Sequence, residues 1–172
     1  TKIMENLIIK NIILFIVFIS VGILFSILSL KIIKRIFDKQ AKLTDLISNL
    51  SFIILSSSSL ISLGLIFSKL YNPLFEIIRI LEPQNFLIEL LKYSFIFLFL
   101  SFLSWFIVVF LSITFFSFLT KDINEVEEIK KDNWKISLLI SAVIFMLTLL
   151  VSNPVVGLLE SIIPYPEIPN IF

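Results

Sequence analysis

The sequence predicts an all-α integral membrane protein whose chain crosses a lipid bilayer four times. Three observations carry the prediction. Of the 172 residues 58% are apolar and 16% are charged, against about 25% charged in ordinary soluble domains. The mean hydropathy is +1.08. Nearly all the charges fall outside four long apolar blocks, each near or above the roughly 20 residues a helix needs to span hydrocarbon. With so few polar residues to face water, most of the surface must face lipid.

The first span is read as Asn11 to Leu30 and the second as Leu50 to Ser68. The third runs from Tyr93 to Leu119; at about 40 Å of helix it must tilt or protrude from a core of about 30 Å. The fourth runs from about Ile136 to Ser152, with a possible continuation to Val156. The first block is too long for a signal peptide, and no small-x-small cleavage site ends it.

Nine of the fourteen basic residues lie in two loops. Lys31, Lys34, Arg35, Lys39 and Lys42 follow the first span; Lys121, Lys130, Lys131 and Lys135 precede the fourth. The positive-inside rule puts these loops in the cytoplasm and both termini outside. Tyr71, Tyr93, Tyr165 and Trp134 fall at span ends, as interfacial aromatics do. Trp105 lies deep in the third span, where packing is the expected role.

An internal repeat divides the chain into residues 1–83 and 84–172. Asn72-Pro73 and Pro83 recur at an offset of 81 as Asn153-Pro154 and Pro164, with aliphatic residues between them in register. Asn49 aligns with Asn133 if the second loop is three residues longer. Asn followed by Pro is a helix-start signal, since Asn caps free amides and Pro suits the first helical position. Each half therefore reads as span, inner loop, span and short outer segment, two parallel repeats about an axis along the membrane normal. Leu74, Ile77, Ile78 and Leu81 share one face, with Glu76, Arg79 and Glu82 elsewhere. That pattern suits a helix lying in the outer interface. After the fourth span, Glu160 is the single charge of the equivalent segment.

Small polar residues mark helix faces. In the third span Ser94, Ser101 and Ser112 lie apart from a stripe of Phe95, Phe99, Phe102, Phe106 and Phe110. The first span offers Gly22-x-x-x-Ser26, the second Ser58 and Ser62 within a serine-rich stretch, the fourth Ser137-x-x-x-Ser141. In lipid such residues let helices approach closely. The other reading is a hydroxyl-lined pore assembled from several copies.

Composition excludes much chemistry. Histidine and cysteine are absent, which removes disulfides, thiol nucleophiles, imidazole catalysis and the usual zinc sites. No cofactor is implied, and a net charge of +1 gives no electrostatic footprint for nucleic acid. The spans hold no ionisable residue, whereas transporters and proton pumps usually carry one. Charge is concentrated in Glu127, Glu128, Lys130, Lys131 and Asn133 of the second loop, where Glu127 and Lys131 have the spacing of an i,i+4 pair. This loop and its basic counterpart are the expected contacts for anionic lipid or a soluble cytoplasmic partner.

The stretch from Leu119 to Glu160, with Glu127-Glu128, then Lys131-Asp132-Asn133, then a span rich in small and aliphatic residues, resembles the bacterial membrane family called domain of unknown function 350. That family is also built from paired two-span units. The resemblance implies an inner-membrane location and oligomer-like packing, and transfers no active site. It covers about a quarter of the chain, the first half keeping only Asn49. In size, span count and outer amphipathic segments the chain is also similar to the four-span membrane subunits of antiphage systems such as Kiwa, where a membrane sensor works with a soluble effector. The expectation is thus a non-enzymatic, self-associating subunit that senses membrane or envelope state for a cytoplasmic partner. The alternative is a small oligomeric ion channel.

Overall fold

Backbone amides in hydrocarbon find no partner but one another, so each apolar block closes into a helix. The computed structural model describes residues 2–37, 48–80, 86–119 and 125–163. Six helices follow in order: α1, Lys2–Phe37; α2, Leu50–Ser68; α3, Tyr71–Ile80; α4, Phe86–Leu119; α5, Glu125–Lys130; and α6, Trp134–Glu160. No strand occurs among the described residues. Four helical runs are long and apolar enough to cross a membrane: Ile8–Phe37, Leu50–Ile80, Ile88–Phe118 and Trp134–Glu160. The chain is a multi-pass membrane protein.

The predicted second span coincides with α2. The other three helices are longer than their uncharged blocks, because a helix continues past the hydrocarbon wherever its residues still pack or meet water. α1 takes in the basic stretch beyond Leu30, burying Ile33 and Phe37 while Lys31 and Arg35 stay exposed.

α2 occupies the centre. It lies along α6, both starting at the same end, and also touches α1 and α4; α4 packs on α6, and α3 lodges against α4 and α6. Across the α2–α6 seam Ser62 meets Thr148; Leu55, Ser59, Ser62 and Ile66 of α2 and Ser137, Ser141, Ile144, Thr148 and Ser152 of α6 are buried. Spacings of three and four put these residues on one stripe of each helix, and the small side chains allow close approach. Phe25 of α1 sits edge-on to Phe67 of α2 at 5.6 Å and 4.5 Å from Phe102 of α4. α1 is otherwise peripheral: 11% of its apolar window is buried, against 39–56% for the other three.

Two expectations change. Asn153-Pro154 does not start a helix, because α6 runs unbroken through Pro154 to Glu160. Proline inside a helix costs about 3 kcal/mol, but interrupting the helix in an apolar environment would strand several backbone groups at a few kcal/mol each. Val155 and Leu159 also continue the buried face. After α2 a short amphipathic helix does form, but α3 begins at Tyr71, so Asn72 lies within its first turn rather than capping it. Its Leu74, Ile77 and Ile78 are 0–1% exposed, so the bundle, not the membrane interface, takes up its apolar face. The expected roles of Lys39, Lys42, Leu81, Glu82, Pro83, Lys121, Pro164 and Tyr165 lie outside the described residues.

Candidate functional site

The densest polar arrangement sits at the charged-loop end, where α2 and α6 begin. A helix start leaves amide groups without intrahelical partners. The Asn49 side-chain oxygen accepts from the Phe52 amide at 2.7 Å and caps α2. Its side-chain nitrogen donates to the Ile129 carbonyl at 2.9 Å and reaches that of Lys130 at 3.4 Å, at the end of α5. In return, the Asp132 carboxylate accepts from the Ser51 amide at 2.8 Å. Each half of the chain thus caps a helix of the other.

Asp132 can do this because of how α5 ends. The Asn133 amide donates to Glu128 O at 2.9 Å and the Asp132 amide to Ile129 O at 3.1 Å, the pattern of a Schellman terminator. Its left-handed position, usually glycine, is held by Asp132 at φ 62°. The unfavourable backbone is offset by the bond to α2.

Asn133 precedes α6 as Asn49 precedes α2, but its side chain does not cap the helix. It donates instead to Glu128 at 2.9 Å, and Glu128 also pairs with Lys131 at 2.9 Å. The tight ion pair is Glu128–Lys131 at i,i+3, and Glu127, at the i,i+4 spacing read from the sequence, adds its charge to the field at Lys131. Hydrogen bonds from Asn133 and then Lys131 hold the Glu128 carboxyl below its usual range, and Glu128 in turn raises Lys131. Ile129 anchors α5 at 2% exposure. Of the predicted docking residues, Glu128, Lys131 and Asn133 are hydrogen-bonded to one another, Glu127 acts on Lys131 through its charge, and Glu127, Lys130 and Lys131 are exposed.

Every buried polar residue among the described ones is Ser or Thr, so no described side chain of the interior titrates. Ser62 and Thr148 share a 2.6 Å hydrogen bond across the α2–α6 seam. Ser58 and Ser112 donate to their own helices, at Leu55 O and Val108 O. Ser94, Ser101, Ser137 and Ser141 are buried without a hydrogen-bond partner among the described residues. All of them face the inside of a single chain. Gly22 and Ser26 differ: both are half-buried on peripheral α1, Ser26 donates to Gly22 O at 2.8 Å, and a Cβ at Gly22 would meet nothing within 4 Å. Trp105 is fully buried, stacks on Phe102 and donates to Ser59 O at 2.9 Å. Phe95, Phe99, Phe106 and Phe110 are exposed, as side chains facing lipid would be.

At the opposite end, Lys10 of α1 donates to Ile78 O of α3 at 3.4 Å. Tyr71 stacks on Phe75, and the Arg79 guanidinium lies 5.5 Å over the same ring. Pro73 is buried and Glu76 half-buried; Asn72, Asn153, Pro154 and Glu160 are exposed.

Sequence reasoning missed Asp132, Ser51 and Thr148. Thr148 was within reach, since it continues the spacing 137, 141, 144 along α6. The Asp132–Ser51 contact left no local signal, because it joins residues 81 positions apart. Among the described residues no group of acidic side chains has the makings of a metal site.

The family model for the Domain of Unknown Function (DUF350) matches residues 6–155. The match reaches well beyond the quarter of the chain that carried the resemblance in sequence and includes the first two spans. No curated protein and no solved structure matches the chain.

Proposed function

The chain belongs to the DUF350 family, whose description assigns no chemistry, and from that premise we propose a non-enzymatic relay: an inner-membrane subunit, self-associating, that passes the state of the membrane or envelope, phage attack included, to a soluble cytoplasmic partner. The observation that carries this reading is the reciprocal capping of Asn49 and Asp132. Through it the short charged helix α5, which leads directly into α6, is fixed to the start of α2. A shift of α2 against α6 would move α5, and with it the exposed Glu127 and Lys130.

Other features fit. The chain has no histidine or cysteine, and its described interior offers hydroxyls alone. Peripheral α1 leaves a broad apolar face for lipid or another copy. The positive-inside bias places α5 in the cytoplasm and both termini outside. A pore formed between copies around the serine faces is less well supported, since those faces turn into the bundle of one chain.

The test neutralises the exposed charges, Glu127→Gln with Lys130→Gln, leaving the hydrogen bonds of Glu128, Lys131, Asp132 and Asn133 in place. Chemical crosslinking followed by affinity purification from membranes should lose the soluble partner while insertion and melting temperature stay unchanged. A partner retained at wild-type levels refutes docking through α5. Planar-bilayer recording addresses the alternative: unitary currents abolished by Ser62→Leu would replace the relay with a channel.

A further inference from the structure

We infer that the notch between α1 and the α2–α3 turn is a binding site for one anionic diacyl phospholipid, with an acyl chain in the notch and the headgroup at its rim. A cavity of about 330 Å³ is lined there by Asn11, Leu14, Phe15, Phe18, Ser68 and Tyr71, within the range of small-molecule sites. It lies where sparsely buried α1 passes the turn at residues 69–70 that separates α2 from α3.

The lining is polar at one end only. Asn11 begins the apolar block of α1, Ser68 ends α2 and Tyr71 begins α3, so these three mark the level where spans end. Leu14, Phe15 and Phe18 follow Asn11 down α1, over about 10 Å of helix. A ligand must therefore be polar at the span end and aliphatic below it. The cavity opens beside Phe15 and Tyr71, which are 65% and 49% exposed, on the surface that lipid covers. Phospholipid is the molecule of that shape present there.

Charge selects among phospholipids. The charged side chains described on the first turns of α1's span, the 69–70 turn and α3 are Lys10, Lys69, Arg79 and Glu76, positive in sum. Lys69 directly follows Ser68 at the rim and is exposed. Lys10 directly precedes Asn11 and is held at the end of α3 through Ile78 O. Basic side chains at a membrane surface favour anionic headgroups. The Oγ of Ser68 donates to Leu65 O at 2.7 Å, so toward a headgroup it accepts, as from a glycerol hydroxyl, while the Tyr71 hydroxyl and the Lys69 ammonium are the donors for a phosphate.

The full chain in nanodiscs of equimolar phosphatidylglycerol and phosphatidylcholine, released for native mass spectrometry, tests the site. Wild-type protein should retain one phosphatidylglycerol. Ser68→Trp, which fills the notch from an exposed position, should retain none, and Lys69→Gln should lower the preference for phosphatidylglycerol about five-fold. Phe15→Ala, at another exposed position, should also lose the lipid, which covers the case in which Ser68→Trp fails to fold. Soluble glycerol phosphate should not displace the lipid. The inference is overturned if wild-type protein retains no lipid, if both variants retain it, if Lys69→Gln leaves the preference unchanged, or if glycerol phosphate alone competes. Lipid retention is read on the isolated chain, so its outcome is independent of the partner test.

Discussion

Replacing Asp132 by alanine and by glycine separates the two opposing effects at that residue. Both substitutions remove the 2.8 Å bond from the Ser51 amide. A hydrogen bond to a charged group contributes about 1.5–3 kcal/mol, and a carboxylate at a helix N-terminus adds about 0.3–1 kcal/mol. Asp132 is exposed, and water screens its charge, so the loss is about 2 kcal/mol. The backbone works the other way. At φ 62° a residue with a Cβ carries about 1–2 kcal/mol that glycine does not. Asp132→Gly should therefore lose about 1 kcal/mol net, and Asp132→Ala about 2 kcal/mol. For a chain of this size each kcal/mol lowers the melting temperature by about 2–4 °C. Thermal unfolding in nanodiscs, followed by circular dichroism, should rank wild type above Asp132→Gly above Asp132→Ala. A glycine variant more stable than wild type would show that the carboxylate contributes less than the strain it is said to offset. Equal melting of the two variants would refute the backbone argument.

Three further outcomes follow from single contacts. Ser62→Val and Thr148→Val should each destabilise the bundle by about 0.6–1.7 kcal/mol, with the double variant losing less than the sum, because the two hydroxyls bond each other; strict additivity in detergent unfolding would exclude the shared bond. The depressed Glu128 carboxyl stabilises α5 above the ordinary glutamate range, and that contribution disappears as pH falls through the folded value; the raised Lys131 contributes below the ordinary lysine range and is lost as pH rises through its folded value. Hydrogen exchange of α5 amides should accelerate at both limits, and Glu128→Gln should abolish the acid limb; an unaltered acid limb in that variant would assign it to another group. Gly22→Ala should leave the single chain as stable as wild type or up to about 1 kcal/mol more so, since a Cβ there meets nothing; a loss of self-association without loss of monomer stability would place a copy-to-copy contact on α1.

The number and type of the spanning helices were legible because hydrocarbon leaves the backbone no alternative, and α2 was found to the residue. The spacing of the serines picked out faces of the spans, and the structure buries Ser94, Ser101, Ser137 and Ser141, although Ser94 and Ser101 give no hint in sequence of which helix they meet. The Asn-Pro pairs illustrate the limit. The same dipeptide lies in the first turn of α3 at Asn72 and is run through by α6 at Asn153. Whether a helix stops at such a pair depends on what its next turns can bury, and that is set by neighbours distant in sequence.

Four uncharged blocks, sparse charge and the missing histidine and cysteine determined by themselves that this chain lives in a bilayer and carries no imidazole or thiol chemistry. Those are properties of local composition against a solvent. The tertiary structure alone decided that Asn49 and Asp132 cap each other's helices, that α1 stands apart, and that a notch opens beside Asn11 and Ser68. Lipid solvates every apolar face about equally well, so hydropathy does not encode which face meets which; small-residue packing and a few hydrogen bonds between remote residues settle it.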